Sequence, residues 1–191
     1  AMVAHPILVN RPIVVTPRQV TGPVYKGHKL PRLRGAMISP NINEESLRLF
    51  GGDWKANVIR WQLIKTTSQT AADPLDMAAY DRWLEGELKK LDAALPLCEK
   101  HGILVVVDLH SPPGGRVTSG GYAGSDAGLF NNAGCQRKFV EVWQKMARRY
   151  KKAKAVWGYD LANEPVEGAV VEGLLDWQEL AEKTAKAVRA L

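Results

Sequence analysis

The sequence has no apolar run approaching the roughly 20 residues that cross a bilayer, so no membrane-spanning helix is expected. Its N-terminal stretch, AMVAHPILVNRPIVV, is apolar only in patches and is broken by Asn10, Arg11 and Pro12. It has neither a basic start nor a small-residue cleavage site, and does not read as a secretion signal. Histidine is sparse: there are four, scattered without paired ligand spacing, which argues against a zinc site. No glycine-rich phosphate loop leads from a strand into a helix, and the Gly-Gly pairs at Gly114 and Gly120 lack the lysine and the spacing. No serine occupies a nucleophile elbow. Neither metal nor cofactor is therefore expected. The two cysteines, Cys98 and Cys135, suffice on count alone for one bridge. They fall near the end of one expected helix and the start of the next, so parallel packing separates them, and two free thiols are expected.

What is present is the composition of an ordinary globular domain: 191 residues, 46% apolar and 24% charged. That length is enough for a substantial core. The net charge of +6 raises the question of nucleic acid. Its densest run, Arg148, Arg149, Lys151, Lys152 and Lys154, closes a helix, where cations complement the dipole and face solvent. With no nucleic-acid motif beside it, neither nucleic acid nor membrane is expected as a partner.

Four short apolar runs rich in β-branched residues alternate with helical stretches. The runs are Arg34 to Ile38, Asn57 to Leu63, Ile103 to Leu109 and Ala155 to Leu161. The third, ILVVVDL, is nearly continuous hydrophobe, as in a parallel strand covered on both faces. Helices are expected from Asn43 to Phe50, Leu75 to His101, Asn132 to Lys152 and Val171 to Leu191. In the second, Tyr80, Leu84, Leu88, Leu91 and Leu95 recur at helical spacing; Pro96 is expected to kink it and Gly102 to end it. In the third, Phe139, Val142, Trp143 and Met146 point inward; in the fourth, Leu174, Leu175, Trp177, Leu180 and Val188 do. Alternating strands and helices imply a parallel sheet, either open and doubly wound or closed as a barrel. Ahead of them, Ile7 to Val15 and Val20 to Tyr25 are expected to form a short β-ribbon in an N-terminal extension, residues 1–28, with residues 29–191 expected to carry the strand–helix units. Pro112 to Gly128 reads as one long loop.

Three strands end in conspicuous polar residues: Arg60 on the second, His110 on the third, Asn163 with Glu164 on the fourth. Parallel strands deliver their C-termini to one face, where sites are built. Taken alone, Arg60 fits equally an ion pair with Asp108 or another buried acid, and His110 fits a hydrogen-bonded structural role. Glu164 is harder to explain structurally. Pro165 favours an extended backbone before it, holding the carboxylate at the strand tip. There Asn163 can donate a hydrogen bond to a substrate hydroxyl and Glu164 a proton to a leaving oxygen. Tyr122 lies in the long loop, and loops after strands line the cleft. Trp61 and Trp157 are expected in the core.

These residues resemble family 5 of the glycoside hydrolases, the cellulase-like (β/α)8 barrels. The resemblance lies in KLPRLRGAMIS, ANVIRWQL, GILVVVDLHSPPGG and AVWGYDLANEP, in that order, from Lys29 onward. It implies an endoglucanase-like hydrolase of β-linked polysaccharides, retaining, with Glu164 as general acid/base and Asn163 binding a sugar 2-hydroxyl. Arg60 and His110 would orient the site, and Tyr122 would be a platform for stacking on a sugar ring. It also implies an extracellular or periplasmic setting. Met37 departs from the family pattern, which often has Asn there.

A barrel of this kind takes eight units and about 250 residues, whereas four units are legible here, the last residue falling in the fourth helix. The resemblance places the nucleophilic glutamate on a seventh strand, which this sequence lacks. The expected fold is therefore α/β of TIM-barrel type: a half barrel of four βα units, closed by a homodimer. Sugar binding is expected to survive in it better than hydrolysis, with Asp126 the candidate second acid. The other reading is a non-catalytic carbohydrate-binding or scaffold half barrel.

Overall fold

The computed structural model describes residues 29–30, 32–38, 41–65, 75–115, 127–168 and 171–191. The chain divides into Ala1–Pro31 and Arg32–Leu191, and all the helices and strands described belong to the second unit. The expected N-terminal ribbon, Tyr122 and Asp126 lie outside the described residues.

In chain order the elements are β1 (Gly35–Ile38), α1 (Glu44–Arg48) with a π-helical turn (Leu49–Asp53), β2 (Val58–Gln62) and α2 (Met77–Lys100). There follow β3 (Leu104–Asp108), α3 (Ala127–Asn131), α4 (Ala133–Tyr150), β4 (Val156–Asp160) and α5 (Trp177–Arg189). The strands form one sheet in the order β1-β2-β3-β4, with every neighbouring pair parallel. Each expected strand is present to within a residue or two at its ends. The helix starts follow local chemistry. Asn43 caps α1 by accepting from Ser46 N at 2.9 Å, Asp76 caps α2 from Ala79 N at 2.8 Å, and Asn132 caps α4 from Gly134 N at 2.8 Å. Helix α2 runs through Pro96 and stops at Gly102, whose φ of 68° suits glycine.

Two expectations need correction. Helix α5 begins at Trp177 rather than Val171, because Asp176 and Glu179 form a reciprocal capping box that fixes its first turn. A short helix that was not expected, α3, begins within the last two residues of the stretch read as a loop, and at five residues it is too brief to show periodicity.

One face of the sheet is dry. Ile59, Trp61, Leu63, Val105, Val107 and Leu109 are at most 1% exposed. They pack under Tyr80, Leu84, Leu88 and Leu91 of α2 and Phe139, Val142, Trp143 and Met146 of α4, the residues that helical spacing marked as inward. Leu180 of α5 is buried with them, and Leu175, Trp177 and Val188 pack against the edge of this core. Both cysteines are buried as free thiols. The opposite face carries Met37, Arg60, Val106 and Gly158 in one register row and Gln62, Asp108 and Asp160 in the next. It stays partly open: Met37 is 64% exposed. A hollow of about 290 Å³ on this face is lined by Met37, Val58, Arg60 and Val106, among others.

Trp157 also departs from expectation: it is 42% exposed, not core. Val156 pairs with Val105 and Gly158 with Val106, so Trp157 is the extra residue of a β-bulge. Alternation cannot be carried through such a point.

Outside the sheet, α2 and α4 are clasped by charge. Lys138 reaches Asp81 at 2.7 Å, Lys145 reaches Glu85 at 2.7 Å, and Arg149 bridges Glu85 and Asp92. Part of the basic run is thus tied to acids on a neighbouring helix. Hydrogen bonds from Lys145 and Arg149 lower the Glu85 carboxyl from 4.5 to about 2. The stability this contributes is present above the ordinary carboxylate value and is lost as pH falls from 4.5 toward 2. Glu85 is about a third exposed, so screening keeps the effect modest. Thermal melts across that pH window are expected to show a shallower acid slope for Glu85→Gln than for the unsubstituted chain. Identical slopes would remove Glu85 from the clasp.

Candidate active site

The register places three polar side chains in one row at the carboxyl ends of adjacent strands: Gln62, Asp108 and Asp160. Each is followed by a leucine, Leu63, Leu109 or Leu161, facing the helices. Two residues before the row, Arg60 extends from β2 across β3 to β4. Its Nε donates to Asp160 Oδ2 at 2.9 Å, and Nη2 lies 2.7 Å from the same oxygen. Nη2 also donates to Asn163 Oδ1 at 3.1 Å, and Nη1 approaches Met37 Sδ at 3.5 Å. Asp108 Oδ1 lies 3.1 Å from Nη2, yet it makes no aligned hydrogen bond. The proximity is an ion pair in charge only; the aligned bonds are Nε–H to Asp160 and Nη2–H to Asn163.

Asp108 is fully buried, and burial pushes its carboxyl above the usual range despite the opposing pull of His110 and Arg60. Its other oxygen is 2.8 Å from His110 Nδ1, which Gln62 Nε2 also approaches at 3.1 Å. One ring nitrogen cannot donate to the first and accept from the second. The buried carboxylate needs a donor more than the amide does, which assigns Nδ1–H to Asp108 and turns the Gln62 amide so that its oxygen faces the ring. His110 Nε2 is then the acceptor. The ring is anchored from the backbone side: Leu63 N donates to Asp108 O at 2.8 Å, Ser111 N to Leu63 O at 3.1 Å, and Tyr80 Oη to Ser111 O at 2.8 Å.

The Arg60 contact also orients Asn163. Its carbonyl oxygen accepts from the guanidinium, so its NH2 is left to donate to a ligand. Glu164 is exposed at the rim, but not on extended backbone as expected. Its φ is 42°, in the left-handed region, which costs a non-glycine residue about 1–3 kcal/mol. Pro165 closes the right-handed helical region to Glu164, and the chain turns left-handed past the strand tip rather than prolonging it. Such strain is characteristic of functional positions.

The structure therefore brings together Arg60, His110 and Asn163, with Glu164 next in the chain. Sequence reasoning offered Asp108 as one possible partner of Arg60 and missed Asp160 and Gln62. A signal was available: Gln-Leu, Asp-Leu and Asp-Leu close three successive strands, which is how residues in one register row announce themselves. Among the described residues no group of three His, Cys, Asp or Glu side chains is arranged to hold a metal ion.

A parallel α/β layer with its polar groups gathered at the strand carboxyl ends is the class of protein in which a site is mounted on a rigid sheet. Among such proteins this chain belongs to the cellulase family, glycosyl hydrolase family 5, whose model it matches over residues 21–191. A β-xylosidase from Phanerodontia chrysosporium is 34% identical over 84 residues, 41% of this chain and 17% of that protein. Endoglucanase C from Acetivibrio thermocellus is 29% identical over 107 residues, 56% of this chain and 29% of that protein. Among solved structures, an endoglucanase from Pseudomonas stutzeri in complex with cellobiose superposes with a TM-score of 0.52 at 22% identity, covering 78% of this chain and 39% of that one. A β-glucanase from Saccharophagus degradans gives 0.54 at 20% identity, covering 83% and 45%. This chain thus spans less than a third of those two curated relatives and less than half of those two structures. At such identity the structural likeness establishes the fold.

Truncating Asp108 leaves Arg60 short of one counter-charge and His110 Nδ1–H with only the Gln62 amide oxygen to accept it. Asp108→Ala is expected to destabilise the chain by about 3 kcal/mol in urea unfolding, Asp108→Asn by less. A loss under about 1 kcal/mol would mean that Asp160 alone satisfies the guanidinium.

Proposed function

We propose that this chain carries the proton-donor side of a glycoside hydrolase site acting on β-linked glucans. Glu164 is the general acid/base. Asn163 donates to a ring hydroxyl, His110 accepts from another through Nε2, and Arg60 holds the amide and its own charge beside the reacting acid. Tyr122, outside the described residues, is the stacking residue of this reading. The observation that carries this reading is the Arg60 guanidinium bonded to Asn163 Oδ1 at 3.1 Å, which aims the amide donor outward beside an exposed Glu164. Membership of a cellulase family supports the substrate class.

Retaining hydrolysis wants a second carboxylate about 5–5.5 Å from the first. Asp108 and Asp160 are engaged by His110 and Arg60, so the nucleophile in this reading comes from outside the four strands described. Among the described residues, β1 and β4 have unpaired outer edges and the site face is partly open, a known liability. In our proposal a second copy closes the barrel, β1 of each pairing with β4 of the other about a two-fold axis. The domain reading is part of the same proposal: residues 1–28 an extension, 29–191 the (βα)4 half.

Two measurements test this. Release of reducing ends from soluble β-glucan is expected to fall by at least about a hundredfold in Glu164→Gln, the scale of a lost general acid; equal, non-zero rates would remove Glu164 from the mechanism. No release from either protein, with glucan still bound, would favour the non-catalytic binding reading. Light scattering is expected to give twice the chain mass, and a well-behaved monomer would rule out the two-fold closure.

A further inference from the structure

We propose that Asp160 is a positioning residue for this site, delivered to it by the bulge in β4. The inference rests on reading the strand ends as a sugar site.

The bulge decides which β4 side chain meets Arg60. Val156 pairs with Val105 and packs against the helix-covered core. Strict alternation from Val156 would send Asp160 to that same dry side and bring Tyr159 to the polar face. The extra residue, Trp157, reverses the order. Gly158 then pairs with Val106 on the open face, and Tyr159 packs edge-on against Trp143 at 5.5 Å on the helix side. Asp160 comes level with Asp108. An exposed tryptophan and a broken ladder are what this reversal costs.

Once there, Asp160 sets the direction of the guanidinium. One oxygen, Oδ2, accepts from Nε at 2.9 Å and lies in ion-pair contact with Nη2 at 2.7 Å, while Asp108 Oδ1, 3.1 Å from Nη2, receives no aligned N–H. The planar fork can satisfy Asp160 and still reach Asn163 Oδ1 at 3.1 Å. Without the Asp160 charge, the strongest remaining attraction is the buried carboxylate on β3. Arg60 then turns toward Asp108, and Asn163 loses the contact that fixes its amide. Asp160 acts on ligand only through Arg60 and Asn163; it is not a catalytic residue.

The probe is cellotetraose, titrated calorimetrically into the full chain. Asp160→Asn, nearly isosteric and neutral, is expected to bind about tenfold more weakly, the size of one lost charge-assisted contact. Asp160→Glu is expected within about threefold of wild type, because charge and reach are kept. In an Arg60→Leu background, Asp160→Asn is expected to change nothing further, since a relay has only one end to cut. Wild-type affinity in Asp160→Asn, or losses that simply add, would overturn the proposal. Should Asp160→Asn fail to fold, Asp160→Ser is the second neutral variant. Relaxation of the Asn163 side-chain ¹⁵N reads the same contact without sugar. It is expected to report a rigid amide in wild type and a mobile one in the neutral variants, and an equally rigid amide would also overturn the proposal. Failure of the wild type to bind cellotetraose would sink the sugar-site reading, while the amide relaxation would still decide the role of Asp160.

Discussion

The guanidinium of Arg60 lies across β3 with a carboxylate on either side of it, and the polar geometry of the sheet's open face follows from how it is shared. Asp108 is fully buried, receives a hydrogen bond from His110 and contributes charge. Asp160 takes the aligned Nε–H and pairs in charge with Nη2. What remains of the fork reaches Asn163 and decides which end of that amide faces outward. A single cation thus organises residues from three strands. A buried ion pair stabilises little once desolvation is counted. What the arrangement provides is direction: a donor at Asn163, an acceptor at His110 Nε2, and an acid at the rim held on left-handed backbone.

That polar face depends on the dry one behind it. The side chains that α2 and α4 cover are nearly all removed from water. Because side chains alternate along a strand, fixing the apolar set on one face fixes the polar set on the other. The bulge at Trp157 is the place where this rule is broken. It lies on the strand that supplies Asp160 and leads into Asn163 and Glu164, consistent with the concentration of bulges beside sites.

The four strands, the inward faces of α2 and α4, and the strand-end residues Arg60, His110, Asn163 and Glu164 were legible in the sequence. Continuous β-branched runs, 3.6-residue spacing and polar groups at run ends are all local signals. The start of α5 was legible too, since Asp176 and Glu179 sit at capping-box spacing, but the apolar residues from Val171 drew the boundary too early. Trp157 and Asp160 were hidden for one shared reason. Which way β4 side chains point depends on a register slip against β3, and pairing is not written in either strand alone. The left-handed turn at Glu164 was hidden similarly: Pro165 restricts its neighbour, but the direction of the chain beyond the strand tip is set by what it packs against.

We have proposed that these strand ends together form a surface for a β-linked sugar. The most direct measurement of this is a chemical-shift titration of the isotope-labelled chain with a cello-oligosaccharide. Saturable shifts are expected, concentrated at Arg60, His110, Asn163 and Glu164, with the helix-covered core unmoved. Shifts confined to other surfaces, or none at saturating sugar in a folded chain, would contradict it.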